Sequence, residues 1–396
     1  MNLKYNYIGY LLKSKIDIDL IVFLFIENVH IFIMQEMRSS MKFIHTADLH
    51  IGAVPEEGST LAEKREQEIK DLPKRIIDLC IEQKADMLLI SGDLFHKSPT
   101  KSELMDLNTE FARFNGVVAI VAGNHDSLSV GSTYDEFNAW NNNVIFFKSS
   151  TLQVQHVDGI DVNVYGLSYR QRDITDRRLD GIRPKNLESI NILLAHGGME
   201  TKLPMDFEAL HNAGFDYLAL GHIHKHKLIS DYGAYPGSPE PLDLTETQEH
   251  GVYIGEIDNN KQLSMTFMPI ALRKYIYIDI EVKPELSMVG ITNLAAEKIR
   301  ENGPDNMYVV KLSGLHDPEI VISKESLKRA GNIVKIIDET KPDYDYEQLM
   351  NENKNSIVGL FIQNVASKGY SPEIERLTLE HGIGALYHGN KKNNSR

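Results

Sequence analysis

Five short apolar runs in this chain each end in a residue that can ligate a metal, and this recurrence limits the possible folds more than any other feature. Lys42-Phe43-Ile44-His45-Thr46-Ala47 leads into Asp48-Leu49-His50, and Met87-Leu88-Leu89-Ile90-Ser91 leads into Gly92-Asp93. Val117-Val118-Ala119-Ile120-Val121-Ala122 leads into Gly123-Asn124-His125-Asp126. Ile192-Leu193-Leu194-Ala195 leads into His196, and Tyr217-Leu218-Ala219-Leu220 leads into Gly221-His222-Ile223-His224. Unbroken β-prone runs read as strands buried on both faces, and such strands present their functional loops at their carboxyl ends. Five such ends can converge on one site.

Coordination chemistry asks for this spacing. Side chains at i and i+2 of a strand exit leave on the same side, so Asp48 with His50, and His222 with His224, can reach neighbouring ions. Glycine precedes Asp93, Asn124 and His222, where it permits unusual backbone angles and close approach to the main chain. Imidazoles, two carboxylates and one amide, with no thiolate, suit Mn²⁺, Fe²⁺ or Zn²⁺ rather than Ca²⁺, which wants oxygen alone. Paired ions clamp the attacking and leaving oxygens of a phosphate ester, and need a shared ligand. Asp93 is the choice for it. Taken singly, an Asp after a strand commonly turns the chain or caps a helix, and a lone His is commonly a satisfied core residue. His45, inside the first run, is assigned to the core on that ground. Five independent endings are poorly explained that way.

The order Asp-x-His, Gly-Asp, Gly-Asn-His-Asp, His, Gly-His-x-His resembles the calcineurin-like metallophosphoesterase superfamily. His45 to Gly52, Ser91 to His96, Ala195-His196-Gly197-Gly198 and Tyr235-Pro236-Gly237-Ser238 resemble in particular the SbcD and meiotic-recombination-eleven nucleases of double-strand-break repair. The likeness runs from Met41 to the end of the chain, and is carried by motifs as far as Leu244. It implies that Asp48, His50 and His224 hold one Mn²⁺ and Asn124, His196 and His222 the other, with Asp93 bridging. His125 would then be a catalytic histidine beside the scissile phosphate, held by Asp126, able to protonate the leaving 3′ oxygen or to stabilise charge. His96 matches a second family histidine that positions the DNA end. The implied nucleophile is metal-activated water. The implied activity is 3′ to 5′ exonuclease and single-strand endonuclease on DNA. An SMC-like coiled-coil ABC ATPase is the implied partner, because no Gly-x-x-x-x-Gly-Lys-Ser/Thr loop occurs in this sequence.

Missing residues argue against other relatives. Leu94-Phe95-His96-Lys97 stands where the serine/threonine phosphatases carry an arginine signature. The tyrosine ligand of purple acid phosphatases is absent. A cyclic-nucleotide or other small-molecule phosphodiesterase shares every ligand, so only His96, the Tyr235 segment and the C-terminal region discriminate against it. A third alternative is a scaffold that tethers DNA ends.

At 396 residues and 42% hydrophobic content the chain can bury a large core in two domains. A single cysteine, Cys80, excludes a disulfide framework and points to an intracellular, cytoplasmic and nucleoid-associated protein. Lys and Arg total 42 against 56 Asp and Glu, a net charge of −14 that repels phosphate at long range. Arg170, Arg172, Arg177, Arg178, Arg183 and Lys185 form a candidate basic stretch, and Lys225 and Lys227 are better placed beside the metal histidines. Weak intrinsic DNA affinity and reliance on a partner are expected.

The fold expected is α/β (α+β): two mixed β-sheets sandwiched by helices, with a second, smaller α/β capping domain. Residues 1–40 stand outside the pattern as an extension, with Met41 the expected natural start. Their apolar stretch is far short of the roughly 20 residues of a membrane helix. Residues 41–272 read as the nuclease domain, 273–345 as the cap and 346–396 as helices and a polar tail, a possible docking region for the ATPase. Within the first domain, a helix kinked at Pro73 is expected over 59–84, and a second over 102–114 with Leu104, Leu107, Phe111 and Phe114 on its core face. The resemblance places a homodimer interface near these helices. Hairpins are expected around Asp158-Gly159 and Asn259-Asn260.

Overall fold

In the computed structural model, which describes residues 40–198 and 202–393, all five apolar runs become strands that stop at or just before their candidate ligands. β1 (Ser40–Thr46), β2 (Met87–Ser91), β3 (Val117–Val121) and β4 (Val144–Phe147) lie side by side and parallel. β5 (Gln153–Val157), β6 (Val162–Gly166), β7 (Ile190–His196), β8 (Tyr217–Gly221), β9 (Lys227–Ile229) and β10 (Gly233–Tyr235) build a second sheet, ordered β5-β6-β7-β8-β10-β9. Its four inner strands are parallel and its two edge strands antiparallel. β11 (Gly251–Asp258) and β12 (Leu263–Pro269) then return to the first sheet, antiparallel beside β1, giving the order β12-β11-β1-β2-β3-β4. These are the two mixed sheets with flanking helices that the alternation of runs predicts.

Each central strand is apolar on both faces because each face meets a different layer. In β2, Met87 and Leu89 point between the sheets toward Val164, Ile192, Leu194 and Ala219, whereas Leu88 and Ile90 point at the helices that carry Ile76, Leu104 and Phe111. With no solvent face, period-two alternation disappears and the strand reads as a continuous apolar run. Leu89 is fully buried between the sheets. Replacing it with alanine is expected to cost about 2–5 kcal/mol, visible as a lowered denaturant midpoint; a loss below ~1 kcal/mol would contradict this packing.

Several local expectations need correction. The helix expected over 59–84 is two helices, Ala62–Lys70 and Leu72–Glu82, which meet at Asp71. Pro73 sits in the first turn of the second helix, where its missing N–H costs nothing, so it starts a helix rather than kinking one. Ser59 still serves the start of the first helix, accepting from the Leu61 N–H at 3.1 Å. Helix Lys101–Phe111 begins with a capping box of Thr100 and Glu103, and buries Leu104, Leu107 and Phe111. Ile160 belongs to a single 3-10 turn, and β6 starts only at Val162, after Asp161 has turned left-handed at φ 51°.

The chain divides into two compact units between Tyr275 and Ile276. The second contains β13 (Tyr275–Val282), β14 (Met307–His316), β15 (Ile333–Asp338) and β16 (Lys341–Pro342), with β14 parallel to β15 and β16. Helix Met288–Asn302 packs Ile291, Ala295 and Ile299 on Ile280, Tyr308 and Val310 of this sheet. A smaller cluster joins helices Tyr346–Glu352, Ile357–Ser367 and Pro372–Asn393 through Val358, Ile362, Leu379 and Ile383. The last helix is longer than its apolar pattern over 373–381 indicates. Among the described residues no helix is long and apolar enough to cross a membrane. Of the N-terminal extension only Ser40 is described, as the first residue of β1; the remaining expectations for it lie outside the described residues.

Candidate metal centre

The carboxyl ends of β1, β2, β3, β7 and β8 come together, and the ligand atoms of the residues expected there cluster in two groups. Asp48, His50 and His224 form one, and Asp93, His196 and His222 the other. The Asp93 carboxylate lies between them, with Oδ2 3.8 Å from His50 Nε2 and 3.3 Å from His196 Nε2. Asn124 adds its Oδ1 to the second group, 3.2 Å from His196 Nε2.

Backbone strain brings the side chains inward. Asp48, His50, Asp93 and His222 all have positive φ, at 53°, 48°, 48° and 96°. A non-glycine residue rarely adopts such angles, and does so mainly where surrounding structure enforces them. Here the enforcement is a lattice of main-chain bonds between the exits. Asp48 N–H donates to Gly92 O and His50 N–H to Asp93 O, each at 3.0 Å, while His222 N–H donates to the Asp48 carboxylate. The glycines serve close approach: a Cβ on Gly123 would strike the Asp93 carboxylate, and one on Gly221 would strike Ser91 O.

The hydrogen bonds also fix which nitrogen each histidine presents. His196 Nδ1–H donates to Ser91 O at 2.8 Å, leaving Nε2 as a lone pair that faces Asp93 and Asn124. His224 Nδ1–H donates to Glu246 Oε1 at 2.7 Å, leaving its Nε2 facing His50 Nε2 at 3.1 Å. Acceptors converge on acceptors in both groups. Such an arrangement is stable only with a proton or a cation among them, so the donor set fits divalent ions and fits no hydrogen-bond network of its own. The electrostatics agree. Burial opposes charge on His196, yet the Asp93 carboxylate outweighs it and pushes the imidazole up to about 9. Burial likewise pushes Asp48 up to about 6 and His222 down to about 4. Protons and divalent cations compete for these atoms.

His125 and His96 stand apart from the acidic groups, at the exposed side of the centre. The His125 ring lies 4.8 Å from that of His50 and is stacked on His96 at 5.6 Å, while its backbone N–H donates to Asp93 Oδ1 at 2.8 Å. His96 Nδ1 lies 3.4 Å from His50 Nδ1. Asp126 does not hold His125 as expected. Its buried carboxylate accepts from the N–H groups of Gly123, Leu94 and Phe95, so it ties the β3 exit to the β2 exit. His45 is the core residue expected, buried between Tyr217 OH at 2.7 Å and Ser91 Oγ at 2.8 Å.

The candidate basic stretch is largely neutralised. Arg170 pairs with Asp135, Arg177 with Asp180, Arg178 with Asp176, and Lys202 with Asp173. Lys225 and Lys227, on either side of His226 next to the centre, are exposed. Sequence reasoning missed Glu246. It follows the Tyr235-Pro236-Gly237-Ser238 motif by eight residues, and an isolated Glu in a polar loop carries no ligand signature.

Residues 41–226 match the family model of calcineurin-like phosphoesterases. The chain therefore carries a metallophosphoesterase domain of that family, whose members use a dinuclear metal centre. Within the family, its similarity is to the Mre11 and SbcD type of protein. It is 26% identical over 286 residues to the DNA double-strand break repair protein Mre11 of Methanopyrus kandleri, covering 64% of this chain and 60% of that one. It is 21% identical over 385 residues to SbcD, the smaller-lettered half of the SbcCD nuclease, from Staphylococcus epidermidis, covering 86% of this chain and 97% of that one. An uncharacterized metallophosphoesterase of Bacillus subtilis, YhaO, is 30% identical over 244 residues, 56% of this chain and 59% of that protein. The matches to the Methanopyrus and Bacillus relatives thus span about three fifths of their lengths.

Proposed function

We propose that the chain is a two-metal DNA nuclease that trims and opens broken DNA ends, acting as 3′ to 5′ exonuclease and single-strand endonuclease. The observation that carries this reading is the pair of ligand groups sharing Asp93, with two further histidines, His96 and His125, on the open side where a phosphodiester would lie. The similarity to proteins named for double-strand-break repair and for nuclease activity supports DNA as the substrate. When bound, the cations, Mn²⁺ in this reading, supply Lewis acidity to the phosphate and lower the pKa of water toward neutrality. Asp48, His50 and His224 hold one of them, and Asn124, His196 and His222 the other. Asp93 spans both, and its strained backbone fixes the carboxylate in advance.

His125 supplies an imidazole N–H to the leaving 3′ oxygen, and His96, stacked against it, orients the DNA end. Asp126 keeps the loops of Asp93 and His125 in register through the three amides that it accepts. Exposed Lys225 and Lys227 contact phosphate, but a net charge of −14 makes intrinsic affinity low. A coiled-coil ATPase and a second copy of this chain are the partners in this intracellular reading.

Purified protein supplied with Mn²⁺ is expected to degrade linear DNA, to stop on chelation with EDTA and to resume when Mn²⁺ is restored. Cleavage that persists in EDTA would sink the metal mechanism. Hydrolysis of bis(p-nitrophenyl) phosphate without any attack on DNA would sink the nuclease reading and favour a small-molecule phosphodiesterase.

A further inference from the structure

We propose that Glu246 is a positioning residue that sets the ring orientation and tautomer of His224, and so tunes the affinity of one of the two cation positions. The inference rests on reading the centre as a two-cation site. His224 is the candidate ligand with the least protection, its side chain about a third exposed at 31%, so packing alone does not hold its ring. What holds it is the segment from Gly237 to Glu246. Gly237, at φ 78°, passes so close to His224 that a Cβ would strike the His224 carbonyl oxygen. Ser238 N–H donates to that same oxygen at 3.1 Å, which pins the backbone. Glu246 Oε1 accepts from His224 Nδ1 at 2.7 Å, which pins the ring.

The other oxygen of Glu246 is itself fixed. Oε2 accepts from Leu242 N–H at 2.7 Å and from Ser238 Oγ at 3.2 Å, and the carboxylate is only 9% exposed. The segment is anchored farther back by Glu240, which accepts from Arg65, Arg75 and Leu272 N–H. Glu246 is therefore a fixed acceptor aimed at one ring nitrogen of a histidine whose other nitrogen faces His50. A carboxylate in that place forces the proton onto Nδ1, turns the Nε2 lone pair toward the centre and raises its basicity.

Glutamine at 246 cannot reproduce this. Its amide has one acceptor atom, so either its NH₂ meets Leu242 N–H, donor against donor, or it meets His224 Nδ1 and drives the proton to Nε2. Both arrangements weaken the cation held by His224 and leave the His196 group untouched.

Calorimetric titration of the full chain with Mn²⁺, with folding checked by near-ultraviolet circular dichroism, tests the proposal without an activity assay. Wild type is expected to bind two Mn²⁺. Glu246→Gln is expected to keep one at unchanged affinity and to bind the other roughly 10–100-fold more weakly. Glu246→Asp, which retains the charge one methylene short, should fall between them. A folded Glu246→Gln that binds both ions as wild type does would overturn the role of Glu246 while leaving the two-cation reading intact. A wild-type chain that binds no Mn²⁺ would overturn both. Should Glu246→Gln not fold, Glu246→Asp decides: a second Mn²⁺ bound with wild-type affinity counts against the proposal, and a weakened one for it.

Discussion

Replacing His125 with alanine is expected to lower DNA hydrolysis by roughly 10²–10⁴-fold while leaving two Mn²⁺ bound per chain. The physical reason is the separation of its two contributions. Its backbone N–H supports Asp93 and survives the substitution, whereas its ring lies on the open side, beside His50 and His96 and away from the carboxylates. Removing the ring deletes a proton donor without touching a metal-facing carboxylate, and an exposed side chain of this kind contributes within ~0.5 kcal/mol to stability. Degradation of linear DNA and metal analysis of the same preparation check both halves. Cleavage at the wild-type rate would refute the acid role. Loss of one Mn²⁺ would instead make His125 a ligand, consistent with the third histidine group it forms with His50 and His96.

The second large effect concerns stability. Glu240 is 1% exposed and receives Arg65, which is fully buried, and Arg75 at 2.9 and 2.7 Å. Arg65 also reaches Glu68 at 2.6 Å and Pro241 O at 2.9 Å, and Glu68 receives Arg273 at 2.8 Å. Three arginines and two glutamates thus neutralise each other away from water. Removing one member leaves charge buried without compensation, so Glu240→Ala is expected to cost about 3–5 kcal/mol. Against a typical domain stability of ~5–15 kcal/mol this is a large fraction. The only tryptophan, Trp140, packs against the helix-side core of the first unit, so its fluorescence during urea unfolding reports on that unit. A loss under ~1 kcal/mol would show that the network is dispensable.

Metal-facing residues were legible in the sequence because their signal is local. A donor residue directly after a β-prone run names both the strand and its functional end, so Asp48, Asp93, Asn124, His196 and His222 could be picked without any knowledge of pairing. His45 could be set aside by the same logic, since it lies inside its run. Turn chemistry was less legible. Pro73 fits the first turn of a helix as well as it fits a kink, and only the break at Asp71 distinguishes the two. Asp126 was misjudged because adjacency to His125 in sequence says nothing about direction. In the fold its carboxylate points back to the β2 exit, 32 residues away.

What the sequence alone determined is therefore the inventory of the centre: which donor atoms are available, and that strand ends would deliver them. Tertiary structure decided how each donor is presented. His196 takes its orientation from Ser91, 105 residues earlier, and His224 from Glu246, 22 residues later. Arg65 and Glu240, which secure the segment behind His224, are 175 residues apart. A histidine can offer either nitrogen, and the one it offers depends on the partner of the other. That partner is brought by packing between distant parts of the chain, and no local pattern encodes it.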